Sequence, residues 1–133
     1  MDRMGKSRFE TSRDLALFAA TAAIEKHALE PVLLDVRANS SYTDFILILS
    51  GRSMRQVEAI GEALQLALKR EGENPLGVEG ERGGHWVLLD YGNLVINIFH
   101  HPMRDYYDLR GLHDEAEEVE LDVPPEQRVA SLY

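Results

Sequence analysis

The stretch DFILILSGRSMRQVEAIGEALQLALKREG, residues 44–72, decides the fold. Its opening seven residues form a nearly continuous apolar run. That pattern is a strand buried on both faces, at the centre of a sheet, rather than one that alternates between core and water. After Gly51 the period changes. Ser53 and Gln56 have capping-box spacing, in which each side chain can satisfy a backbone donor left over at a helix start. Val57, Ile60, Leu64 and Leu68 then fall on one helical stripe, and Gly72 is a natural stop. A buried strand running straight into an amphipathic helix is the repeating unit of an α/β domain.

Working outward, PVLLDVR from Pro31 reads as a neighbouring strand, joined by the polar loop ANSSYT. Ahead of it, TSRDLALFAATAAIEKH reads as a helix, with Thr11 and Asp14 at capping-box spacing. From Leu15 to Ile24 that helix is apolar nearly all round, which implies burial on more than one side and predicts a homodimer. Downstream, ENPLGVEGERGG is turn-rich, with a short strand over Leu76–Glu79. Pro102 suits the first turn of a last helix, PMRDYYDLRGLH. Residues 1–10 read as a flexible arm, 11–113 as one domain, and 114–133 as an acidic, disordered tail. The expected fold class is therefore α/β: a single domain with a mixed β-sheet packed with helices.

The 133 residues suffice for a core without staples, and there is no cysteine, so disulfides, thiolate metal sites and cysteine nucleophiles are excluded. The N-terminal MDRMGKSRFE has no apolar segment of the secretory kind and no run approaches a membrane span, which reads as cytoplasmic, with no membrane partner. The net charge is −9, and residues 114–133 hold seven acids against one base. Such a chain has little attraction for nucleic-acid backbones; a basic protein partner fits better.

The apolar hairpin GGHWVLLDYGNLVINIF, residues 83–99, holds the only tryptophan. A two-residue turn at Tyr91-Gly92 pairs Asp90 with Asn93, Leu88 with Val95 and Trp86 with Asn97. Alternation then puts Trp86, Leu88, Asp90, Asn93, Val95, Asn97 and Phe99 on one face. Val87, Leu89, Leu94, Ile96 and Ile98 take the other, cleaner core face. The mixed face suits a partly wet docking surface, and equally a face covered by one of the chain's own helices. Arg104, Tyr106 and Tyr107 form an aromatic and cationic cluster on the last helix, a composition common to binding hot spots and to ordinary helix packing.

Chemistry is sparse. Gly51-Arg52-Ser53, between a strand and a helix start, is where backbone amides can hold a phosphate, but it reads as a plain N-cap. The nearest acid pair, Glu79 and Glu81, lies well downstream. Beside His100, His101 and Asp105 at i, i+4 spacing could share a helix face, but no third ligand or second shell is evident, and they read as decoration of a helix. No cofactor, metal or catalytic residue is expected.

Three segments, LLDVRANSSYTDFILILSGRSMRQVEAI, PLGVEGERGGHWVLLDYGNLVINIF and MRDYYDLRGL, together resemble the ribosomal silencing factor family, also called Iojap-like. Order and spacing match over about residues 12–113, and PLGVEGE with a following tryptophan and an Asp-x-Gly turn is the specific part. The resemblance implies a nucleotidyltransferase-like fold without catalytic acids. It implies a non-enzymatic translation repressor that binds the large ribosomal subunit through the ribosomal protein numbered fourteen. There it blocks joining of the small subunit under nutrient limitation. It also places Trp86 in that contact, and with it Leu88, Asp90, Tyr91, Asn93, Asn97, Met103, Arg104 and Tyr106. The chain departs from the family pattern at Asn93, Asn97, Pro102, Arg110 and His113. Two rival functions arise from the residues: a nucleotidyltransferase built on Gly51, Ser53, Glu79 and Glu81, and a large-subunit assembly factor.

Overall fold

A computed structural model describes residues 8–80 and 85–128 of the chain. Strands β1 (Leu29–Asp35) and β2 (Phe45–Gly51) pair antiparallel, and every residue of β2 is buried. Strands β3 (Gly77–Glu79), β4 (Trp86–Asp90) and β5 (Leu94–His100) come next, with β5 parallel to β2. A sixth strand, β6 (Glu117–Val119), pairs antiparallel with β1. The mixed sheet runs in the order β3-β4-β5-β2-β1-β6. The single parallel pair sits at its centre, which is where a continuous apolar strand belongs.

Helices α1 (Ser12–Glu25) and α2 (Met54–Arg70) cover one face. The α2 start uses its capping residues as the spacing implies: the Gln56 amide donates to Ser53 Oγ at 3.1 Å and the Arg52 amide to Gln56 Oε1 at 2.6 Å. Its stripe of Val57, Ile60, Leu64 and Leu68 is fully buried, each side chain contributing roughly 2 kcal/mol. Gly72, at φ 89°, turns the chain out of the helix in the left-handed conformation open to glycine. On α1 the Thr11 hydroxyl accepts from the Asp14 amide at 3.0 Å. The alanines Ala16, Ala19, Ala20 and Ala23 are wholly buried, and their small side chains let the helix lie close to its neighbours.

Three expectations are corrected. First, the chain from 114 onward is no loose tail: Val119, Val123 and Gln127 are buried, β6 closes the β1 edge, and a 3-10 turn lies at Pro125–Gln127. Gln127 Nε2 donates to the Ile24 carbonyl at 3.1 Å and the Ala28 carbonyl at 2.8 Å, satisfying acceptors that the end of α1 leaves over. The domain thus extends past residue 113 to at least residue 128. Second, α1 is not buried all round: Leu15, Ala16, Ala19, Ala20 and Ala23 form its buried side, while Leu17, Phe18, Ala22 and Ile24 stay half-buried, with Phe9 packed on Phe18 at 5.2 Å. Third, the last helix is two, α3 (His101–Tyr107) and α4 (Leu109–Leu112), broken where Asp108 takes φ 45° and caps α4 by accepting from the Gly111 amide. Residues 1–7 and the last five residues of the tail lie outside the described residues.

Candidate docking site

The hairpin differs from its expected register by two residues. Asp90 pairs with Val95, Leu88 with Asn97 and Trp86 with Phe99. The turn lies one residue further on, at Gly92-Asn93: the Tyr91 amide donates to the Leu94 carbonyl at 2.8 Å, Asp90 Oδ1 accepts from the Gly92 amide at 2.8 Å, and Gly92 sits at φ 88°. The aspartate side chain offers the backbone a local partner at that position. The shift takes Tyr91 out of the turn and onto the core face, in alternation with Val87 and Leu89. Because the slip is even, no side chain changes face. Val87, Leu89, Ile96 and Ile98 lie in the core under α1 and α2, and Trp86, Leu88, Asp90, Asn97 and Phe99 share the opposite face.

That opposite face is covered unevenly. On β5 it is closed: Val95, Asn97 and Phe99 are buried, and α3 packs across β5 and β2. On β4 it is half open: Trp86, Leu88 and Asp90 are each partly exposed, while Val87 and Leu89 between them are fully buried. Of the two alternatives left by the sequence, cover by the chain's own helix holds on β5, while β4 is left half-uncovered.

Trp86 is held from three directions. Its ring stacks on Phe99 at 6.2 Å with planes 7° apart, and on Tyr107 at 5.7 Å. Phe99 and Tyr107 lie 5.3 Å from each other. The indole Nε1–H donates to Asn97 Oδ1 at 3.0 Å. Asn97 is only 4% exposed, on a strand otherwise apolar from Leu94 to Phe99.

The residues assigned to docking separate accordingly. Trp86, Leu88 and Asp90 form one open strip along β4, and Asn93 is exposed at the turn beyond it. Tyr91 is not at an exposed tip: it is buried against α1 and α2, where its hydroxyl meets no partner among the described residues. Burial, with Glu73 adding its charge, pushes the Tyr91 phenol up to about 12. Asn97 is buried beside the strip, on β5, rather than part of it. Arg104 is half-buried and donates to Ser50 Oγ at 3.0 Å and to the Leu29 carbonyl at 3.4 Å, which ties α3 to the sheet. Met103 is half-buried on α3, and the Tyr106 side chain lies outside the described residues. Sequence reasoning missed Leu76, the most exposed large apolar residue described, at 76%. It lies beside the turn, where a Cβ on Gly92 would stand 3.2 Å from its Cδ1. Its position outside any periodic segment left no signal.

The phosphate and metal candidates do not assemble. A Cβ on Gly51 would stand 3.0 Å from the Val57 amide, so this glycine serves the close approach of strand and helix. The Arg52 and Gln56 amides are already used by the cap. Glu79 is exposed on β3, an edge strand separated from β2 by β4 and β5, or about 14 Å at the usual strand spacing; Glu81 lies outside the described residues. His101 is buried, not a surface decoration, with Nε2 3.4 Å from Glu30 Oε1, whereas Asp105 is exposed. Among the described residues, no three His, Asp or Glu side chains gather as a metal site would need, and no helix is long and apolar enough to cross a membrane.

Comparison with known proteins gives a consistent result. A family model described as ribosomal silencing factor during starvation matches residues 9–131. A ribosomal silencing factor of Halalkalibacterium halodurans is 35% identical over 84% of this chain and 96% of its own. One of Bacillus subtilis is 33% identical over 83% and 93%. A crystal structure from Chromobacterium violaceum superimposes with a TM-score of 0.76 at 28% identity, covering 86% of this chain and 94% of that one. More distantly, a mouse protein named for mitochondrial assembly of the ribosomal large subunit is 25% identical over 81% of this chain and 51% of its own.

Proposed function

Because this chain belongs to the ribosomal silencing factor family, we propose that it is a translation repressor that binds the large ribosomal subunit and acts by occupying a surface. The contact is with the ribosomal protein numbered fourteen, and the result is steric: a small domain on the joining face keeps the small subunit away when nutrients are short. The protein works in the cytoplasm and catalyses nothing. The observation that carries this reading is the half-open strip of β4, where Trp86, Leu88 and Asp90 are left uncovered beside fully buried neighbours. A strip with a fixed aromatic at one end and an acid at the other suits a partner that is apolar at its centre and basic at its rim.

Sedimentation of purified subunits tests it. The protein is expected to travel with the large subunit and to lower the joined fraction. Leu88→Asp, which puts a charge in the middle of the strip, is expected to abolish both effects in a folded protein. An undiminished joined fraction, or full activity of the Leu88→Asp variant, would overturn the reading. A second reading, large-subunit assembly, is favoured by the name of the mouse relative. The same gradients separate the two, since an assembly factor travels with precursor particles rather than mature subunits.

A further inference from the structure

We infer that Asn97 is a positioning residue for the dock, and that Trp86 meets its partner with carbon surface alone. The inference rests on the docking reading above and goes on to the chemistry of the partner. An amide buried to 4% exposure on an apolar strand is costly unless its hydrogen bonds are made. Here the Asn97 oxygen accepts the indole N–H at 3.0 Å. In the sheet Asn97 lies directly across from Leu88 and diagonally from Trp86, so its side chain stands beside both open residues. Stacking on Phe99 and Tyr107 sets the plane of the ring, and the bond selects which of its edges faces Asn97.

The first consequence concerns recognition. The indole has one polar atom, and it is spent inside the protein. At the other end of the strip Asp90 has acceptor oxygens only, one of which, Oδ1, already takes the Gly92 amide. The centre of the strip therefore offers a partner no free donor, only ring edge and the Leu88 methyl groups. It fits an aliphatic or aromatic side chain, and it does not recognise a carbonyl or carboxylate through the indole. The second consequence concerns pre-organisation: a ring already held in its docking orientation loses less freedom on binding.

Trp86 is the only tryptophan, so its N–H can be followed alone. The experiment uses the full chain. Exchange of the indole N–H with solvent and fluorescence anisotropy are measured without ribosomes, and binding to purified large subunits is measured on the same samples. Asn97→Leu is expected to speed indole exchange about tenfold, lower the anisotropy and weaken binding about tenfold, the scale of one lost buried hydrogen bond. Asn97→His, whose neutral ring nitrogen accepts a hydrogen bond, is expected to restore both readings. Should Asn97→Leu not fold, Asn97→Ser, too short to reach the indole, is expected to behave in the same way.

Unchanged exchange and anisotropy in Asn97→Leu would overturn the positioning role. Faster exchange with undiminished binding would overturn its relevance to docking. If wild-type protein does not bind the subunit, or Leu88→Asp binds as well as wild type, the docking reading itself fails and this inference with it. The exchange measurement, made without ribosomes, tells that failure from the first.

Discussion

Trp86 is at once a surface residue and part of a packed aromatic group. Trp86→Ala removes a stack on Phe99 and Tyr107 and leaves the buried Asn97 amide without its donor. We expect a loss of about 2–4 kcal/mol in stability together with the loss of docking, read from the denaturant midpoint and subunit binding. A variant with the wild-type midpoint would show that the stack is not formed. Tyr91 makes the opposite case. Its hydroxyl is buried without a partner among the described residues, so Tyr91→Phe is expected to stabilise the fold by about 1 kcal/mol. The raised phenol adds a pH dependence whose sign is fixed. The folded protein keeps the proton up to about 12, whereas the unfolded chain releases it near 10. The contribution is whole below pH 10 and is lost as pH rises toward 12, by roughly 2 kcal/mol. Alkaline unfolding curves of wild type and Tyr91→Phe should diverge over that interval, and parallel curves would place the phenol in water.

At the scale of elements, β2 and α2 were legible because their signals are local. A continuous apolar run, a capping pair and a stripe at helical spacing act within a few residues of one another. Gly61 interrupts that stripe in the middle of α2, where glycine costs about 1 kcal/mol relative to alanine. A Cβ there would meet Val87 Cγ1 at 3.5 Å and Ile98 Cδ1 at 3.7 Å, ordinary contact distances. Gly61→Ala is therefore expected to raise the melting temperature by about 3–5 °C, as calorimetry would show. A lower melting temperature would mean that helix and sheet cannot admit a methyl group. The break between α3 and α4 was not legible. Asp108 at φ 45° trades backbone strain for a cap on the Gly111 amide, and nothing in the periodicity of PMRDYYDLRGLH marks that exchange.

For the molecule as a whole, the C-terminal segment closes two open ends at once. It supplies β6 to the exposed edge of β1, and through Gln127 it satisfies carbonyls at Ile24 and Ala28, about a hundred residues away in sequence. Truncation after Ala116 removes Val119, Val123 and Gln127 from buried positions. It is expected to cost about 3–5 kcal/mol and to leave an unpaired strand edge that self-associates. Thermal unfolding and light scattering check both effects. A truncated chain with the wild-type midpoint and no larger species would make the segment a passive tail.

The sequence by itself determined the fold class, the buried strand, the capped helix and the division of the hairpin into two faces. That division survived a wrong register because side chains alternate with period two and the slip was even. Tertiary structure alone decided the turn position, the inward course of Tyr91, the edge strand after residue 116 and the bond between Trp86 and Asn97. Each of these turns on which distant segment covers which group. An acidic segment such as EEVELDV has no helical or strand signal strong enough to act alone, and it becomes a strand because β1 offers unpaired backbone groups and room for Val119 and Val123. An asparagine among Val95, Ile96, Ile98 and Phe99 gives no sign of its partner, since only the fold brings the indole within 3.0 Å. Local patterns are read from neighbours in the chain, while burial and the satisfaction of buried polar groups depend on neighbours in space.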